Sequence, residues 1–110
     1  MGKFVTVARV SELKPGQCRS VEAEGFMIAL FNVDGTIYAL DNCCPHAGGP
    51  LGEGQLYGEV VKCPWHGWKF NVRTGRRPEN AAFTVERHRV EVQGDDIRIW
   101  LPPEWGTGPA

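Results

Sequence analysis

Apolar and polar residues alternate along this chain in short runs, and each run ends at a turn signal. Residues 3–8 predict a strand, with Phe4, Thr6 and Ala8 on one face and Val5 and Val7 on the other. Residues 11–13 before Lys14-Pro15-Gly16 read as a turn too brief for a helix, and residues 17–22 as a weaker strand. Residues 26–33 and 36–40 flank Asp34-Gly35, a two-residue hairpin signal. Residues 85–92 and 97–101 flank Gly94-Asp95-Asp96 and predict a second hairpin, with Ile97, Ile99 and Leu101 facing one way and Arg98 and Trp100 the other. Between the hairpins, residues 59–62 and 68–72 predict two further strands, with Arg73-Thr74-Gly75 as the next turn. No window holds a helical period over three turns, so the expected class is all-β, an antiparallel sandwich or small barrel.

Length and composition narrow the picture without redirecting it. The 110 residues fit one compact domain, long enough to bury a core without disulfides. A formal net charge of -1 argues against bulk electrostatic binding to nucleic acid and gives no membrane-surface signal. No apolar stretch approaches the roughly 20 residues of a spanning helix, and the opening MGKFVTVARV does not read as an export signal. Four cysteines in that context favour metal ligation or free thiols over a disulfide framework, and the expected compartment is the cytoplasm.

The chemistry concentrates between the hairpins. Residues 42–68, NCCPHAGGPLGEGQLYGEVVKCPWHGW, hold three of the four cysteines and two of the three histidines. Cys44-Pro45-His46 and Cys63-Pro64-Trp65-His66 each present a thiolate and an imidazole, separated by sixteen residues. Zinc accepts two cysteines and two histidines in a closed tetrahedral site, but its modules mostly pair like with like. A [2Fe–2S] cluster with histidines on one iron explains the mixed pairing, since each loop then supplies one donor to each metal.

The spacing, with its surroundings CPHAGGPLGEG and CPWHGWKFNVRTG, resembles the Rieske iron–sulfur motif of soluble ferredoxins, most strongly over residues 40–76. The resemblance implies a single Rieske-like domain over residues 1–110, with a cluster-binding subdomain of about residues 42–76 inserted in the β scaffold. It implies one [2Fe–2S] cluster, with Cys44 and Cys63 on the inner iron and His46 and His66 on the outer. Gly49 and Trp65 stand where the quinol-oxidising branch has a second cysteine pair. Trp68 and Phe70 stand where that branch has hydroxyl donors. Their absence predicts a potential toward the low end of about -150 to +300 mV. Backbone amides must then reach the sulfurs, with Gly48, Gly49 and Gly67 allowing close approach.

The function implied is one-electron transfer without catalysis. A flavin-containing, NAD(P)H-dependent reductase would supply electrons and a terminal oxygenase would receive them, through transient contacts of a monomer. The alternatives are a permanent small subunit like that of NAD(P)H nitrite reductase, or a zinc-stabilised binding module. Among other residues, Cys43 reads as packing beneath its loop, with an alternate ligand or a redox-labile thiol as the other readings, Cys18 as a free buried thiol, and His88 as a solvated surface side chain. Trp65 either shields the cluster at a docking rim or fills the core. Trp68 and Phe70 should pack inward, and Arg76-Arg77-Pro78 reads as a solvated turn or as a third loop that steers an acidic partner.

Overall fold

The structure, a computed structural model, describes residues 2–42, 50–65, 67–78 and 80–101, excluding the side chains of 80–83. Four strands precede the first ligand loop: β1 (Lys3–Arg9), β2 (Cys18–Ala23), β3 (Phe26–Val33) and β4 (Thr36–Asp41). Five short ones follow: β5 (Gln55–Tyr57), β6 (Val60–Lys62), β7 (Lys69–Asn71), β8 (Arg76–Arg77) and β9 (Asn80–Thr84). β10 (Arg87–His88), β11 (Val90–Gln93) and β12 (Asp96–Leu101) complete the described set. Single 3₁₀ turns at Val10–Glu12 and Leu51–Glu53 are the helical elements among the described residues.

All pairings are antiparallel. The strand orders are β1-β12-β11, β10-β4-β3-β2, β5-β6-β7 and β8-β9. Both expected hairpins form. Val33 pairs with Thr36 across Asp34 (φ 50°) and Gly35 (φ 94°), the left-handed pair that matches the twist of a two-residue hairpin. Gln93 pairs with Asp96 across Gly94-Asp95, so Asp96 belongs to the strand and the loop is one residue shorter than expected. Buried Asn32 pins the base of the first hairpin: its amide donates to the Leu13 carbonyl (2.7 Å) and its Oδ1 accepts from the Gly35 N–H (2.7 Å).

The sheet β10-β4-β3-β2 is the middle layer, because both faces of β3 are buried. Ile28 and Leu30 enter a core shared with Val21, Ile37, Ile97, Ile99 and Leu101, between this sheet and β1-β12-β11. Ala29 and Phe31 point the other way, into a second core with Leu40, Leu51, Val61, Cys63 and Phe70. The run Ile28-Ala29-Leu30-Phe31 lacks polar alternation for this reason.

Two expectations change. The strand expected over residues 85–92 is broken at Arg89: His88 pairs with Ala39 of the middle sheet, whereas Val90 pairs with Ile99 of the outer one. The chain changes sheets there, and the Arg89 carbonyl accepts the Trp100 N–H (3.0 Å). His88 is therefore not a solvated surface residue. Its side chain is 3% exposed, and its Nε2 lies 2.9 Å from Asp41 Oδ1. Strands β5, β8 and β9 were not visible in the hydrophobic pattern; β5 and β8, at three and two residues, are too short to show a period.

Candidate metal centre

The second core builds the site from below. Val61 and Phe70 are opposite partners in β6 and β7 and face this core, leaving Lys62 and Lys69 outward. Cys63 follows immediately, with its side chain in the same core and only 1% exposed. The loop from Cys63 to Trp68 is closed twice: the Cys63 N–H donates to the Trp68 carbonyl (2.7 Å), and the Gly67 N–H returns to the Cys63 carbonyl (3.1 Å). Gly67 has φ +73°, a conformation that other residues adopt with strain, so the turn itself requires a glycine here. Trp65, at the loop's outer side, is 60% exposed, which excludes the core-filling reading.

The first ligand loop is held at its two ends. Asn42 is buried, and its Oδ1 accepts the Gly52 N–H (2.7 Å) and the Ser20 hydroxyl (3.3 Å). Its own N–H donates to the Met27 carbonyl (3.2 Å). One amide side chain thus joins the residue where the chain leaves β4 to the turn where it re-enters the fold. Gly52 is fixed by space: a β-carbon there would lie 2.5 Å from Ser20 Oγ and 2.6 Å from its backbone nitrogen. Leu51, fully buried, then packs in the same core as Cys63, so the bases of the two loops share one apolar floor.

Of the four expected ligands, Cys63 is described; Cys44, His46 and His66 lie outside the described residues, as do Cys43, Gly48 and Gly49. Sequence reasoning passed over Asn42 and Gly52. Their only signal was position: an Asx residue at the strand end, and a glycine in the GPLGEG run ten residues later.

Trp68 and Phe70 pack inward as expected, with Phe70 fully buried and Trp68 against the second core, their ring centroids 6.4 Å apart. Neither brings a hydroxyl to the core that holds Cys63. Arg77, in β8, stacks its guanidinium 3.7 Å from the centroid of the Trp68 ring, which makes 76–78 a strap beside the second loop. Cys18 is half-buried; its thiol donates to the Gly54 carbonyl (3.2 Å), and burial pushes its pKa up.

The donor chemistry fits a [2Fe–2S] group. Cys63 is a desolvated soft donor on a doubly closed hairpin, and Leu51, next to the Gly52 that Asn42 holds, packs in the same core. No disulfide ties the described cysteines, Cys18 and Cys63. Among the described residues, no helix is long and apolar enough to cross a membrane.

Comparison with known proteins agrees with this construction. The profile of the Rieske [2Fe-2S] domain matches residues 3–87. The ferredoxin component of the naphthalene 1,2-dioxygenase system of Pseudomonas aeruginosa is 32% identical over 100 residues, covering 90% of this chain and 96% of that protein. Apoptosis-inducing factor 3 of Mus musculus is 44% identical over 95 residues, covering 86% of this chain but 16% of that longer protein. A chain in the solved complex of reduced oxygenase and oxidized ferredoxin in carbazole 1,9a-dioxygenase superposes with a TM-score of 0.79 at 32% identity, covering 87% of this chain and 91% of that one. Matched by that profile over most of its length, the chain belongs to the Rieske [2Fe-2S] domain family.

Proposed function

We propose that this protein is a one-electron carrier, the ferredoxin component of a dioxygenase-type system, with one [2Fe–2S] cluster held by Cys44, His46, Cys63 and His66. Its partners are an NAD(P)H-dependent flavin reductase and a terminal oxygenase, and it works as a monomer in the cytoplasm. The single domain spans residues 1–110, and the cluster-binding subdomain spans about residues 42–76. When bound, such a cluster accepts and releases one electron and has no open coordination position for a substrate.

The observation that carries this reading is the buried Cys63 on a doubly closed hairpin, in a chain 32% identical to a dioxygenase ferredoxin component over 96% of that protein. The protein's own part is to hold the donors rigid, keep water from the inner side through the Phe31–Phe70 core, and present a small contact area near Trp65. A permanent subunit needs a broad apolar patch. Among the described residues, the exposed large apolar side chains, Met27, Tyr57, Trp65 and Val92, lie on four separate elements, β3, β5, the second loop and β11. That dispersion favours transient contacts over the nitrite reductase-like arrangement.

The test is composition and spectrum. Anaerobically purified protein should be red-brown and contain two irons and two acid-labile sulfides per chain, as one such cluster requires. His46→Ala and His66→Ala should each abolish the Rieske spectrum. A colourless zinc protein, or an unchanged spectrum in either variant, rejects the assignment.

A further inference from the structure

The outward face of the small sheet β5-β6-β7 has an unusual charge arrangement. Its two cross-strand rows are Gln55–Lys62–Lys69 and Tyr57–Val60–Asn71. Lys62 and Lys69 are direct partners, both exposed, and like charges placed opposite one another destabilise a strand pair. Neither has a carboxylate within ion-pair distance among the described residues. The acids nearby do not relieve them. Glu59, at the β5–β6 turn, is engaged by Arg73 (3.4 Å) and Asn71 (3.4 Å). Glu53 lines a cleft with Lys62 without pairing to it.

Beside the lysines lies a groove of about 590 Å³, lined by Tyr57, Val60, Lys62, Lys69 and Pro78. Tyr57 is 56% exposed, and aromatic residues are enriched in interfaces relative to the rest of a protein surface. The whole chain repeats the polarity. Seven of its twelve basic residues fall between positions 60 and 89, against two acidic ones; the rest of the chain carries five basic and eleven acidic residues.

We propose that this face is a docking surface for an acidic patch on a redox partner protein. Partner carboxylates would sit between Lys62 and Lys69, with an apolar side chain over Tyr57, Val60 and Pro78. The proposal rests on the electron-carrier reading, because Lys62 adjoins Cys63 and a partner seated here lies beside the second ligand loop. Binding supplies the counter-charge that the isolated sheet lacks, and the asymmetric field orients the partner as it approaches.

The test uses the cluster-loaded protein and labelled poly-L-glutamate as an acidic probe, followed by fluorescence anisotropy. Lys62→Gln/Lys69→Gln should weaken binding roughly tenfold, and binding by the wild type should weaken with salt. Lys3→Gln/Lys14→Gln, an equal charge change elsewhere, should weaken it less than about twofold. Equal losses in the two double variants overturn the proposal. So does a wild-type dimer in sedimentation equilibrium that Lys62→Gln/Lys69→Gln dissociates, since the occupant would then be a second copy. Lys69→Gln alone should raise the Tm by about 1–5 °C by removing the like-charge pair; a fall overturns the argument from repulsion. The visible spectrum is recorded on every sample. A missing cluster defeats the electron-carrier reading while leaving the binding measurement readable.

Discussion

The two cores share one sheet and have opposite characters. The first is filled by Val, Ile, Leu and Ala, mostly from strands of four to eight residues, and is closed on both sides by long ladders, one of them with a register shift between Thr6 and Ala8. The second is floored by the same β3 but roofed by three-residue strands, a 3₁₀ turn and loops, and its members include Phe31, Phe70 and Cys63. A packed core between long strands supports itself. The second core has fewer ladder bonds to hold its roof, so rigidity there must come from the clasp at Asn42, the closed hairpin at Cys63 and a bound metal group. This difference predicts a scaffold that survives loss of its cofactor and a site that does not.

The largest expected effect follows directly. Removing iron with a chelator under reducing conditions should strip amide-exchange protection from β5, β6 and β7, while β1, β3 and β12 keep most of theirs. Hydrogen exchange read by mass spectrometry on the two forms checks this. Uniform loss of protection would show the two cores to be one cooperative unit.

Adjacent residues of β3 sharpen the contrast, since Leu30 enters the first core and Phe31 the second. Leu30→Ala should cost about 2–5 kcal/mol and Phe31→Ala about 3–5 kcal/mol in urea unfolding of the loaded protein. Only Phe31→Ala should also hasten loss of the visible spectrum in dilute chelator. Equal rates of cluster loss would mean that the second core does not guard the site.

Asn42→Ala tests the clasp. It leaves the buried Gly52 N–H without its acceptor, at about 1–3 kcal/mol, and frees one end of the first ligand loop. Asn42→Asp keeps an acceptor oxygen and should recover part of that loss. If Asn42→Ala unfolds at the wild-type urea midpoint and keeps its cluster as long, the clasp contributes nothing.

What was legible beforehand follows the same division. The first core could be read from residues such as Ile97, Ile99 and Leu101, because a regular strand against one core imposes a period of two. Asp34-Gly35 gave its hairpin, because a turn requiring two left-handed residues restricts sequence sharply. The Rieske family was legible in the motif around Cys63, because cluster chemistry restricts donor types and spacing still more. The second core was hidden. Ala29 and Phe31 sit on a strand buried on both faces, which erases alternation, and three-residue strands such as β5 carry no period. His88 was misread because its alternating charged neighbours do not reveal that the chain changes sheets at Arg89 and turns the imidazole toward Asp41. Asn42 and Gly52 act through one long-range hydrogen bond, which a local pattern cannot encode.

The smallest effect lies at the seam of the second core, where Cys18 packs against it and donates to the Gly54 carbonyl. Burial disfavours the thiolate, so the folded-state pKa is raised. The unfolded thiol titrates near its ordinary value of about 8.5. Below that value both states hold the proton and the stability contribution is fully present. As pH rises from there through the raised folded value, the unfolded state loses its proton first, and the contribution falls away. Unfolding free energy measured from pH 7 to 10 should therefore decline less steeply in Cys18→Ser than in the wild type, the hydroxyl having no titration in that range. Parallel curves would place the thiol in water at the edge of the second core, and the seam at Gly54 would then be open.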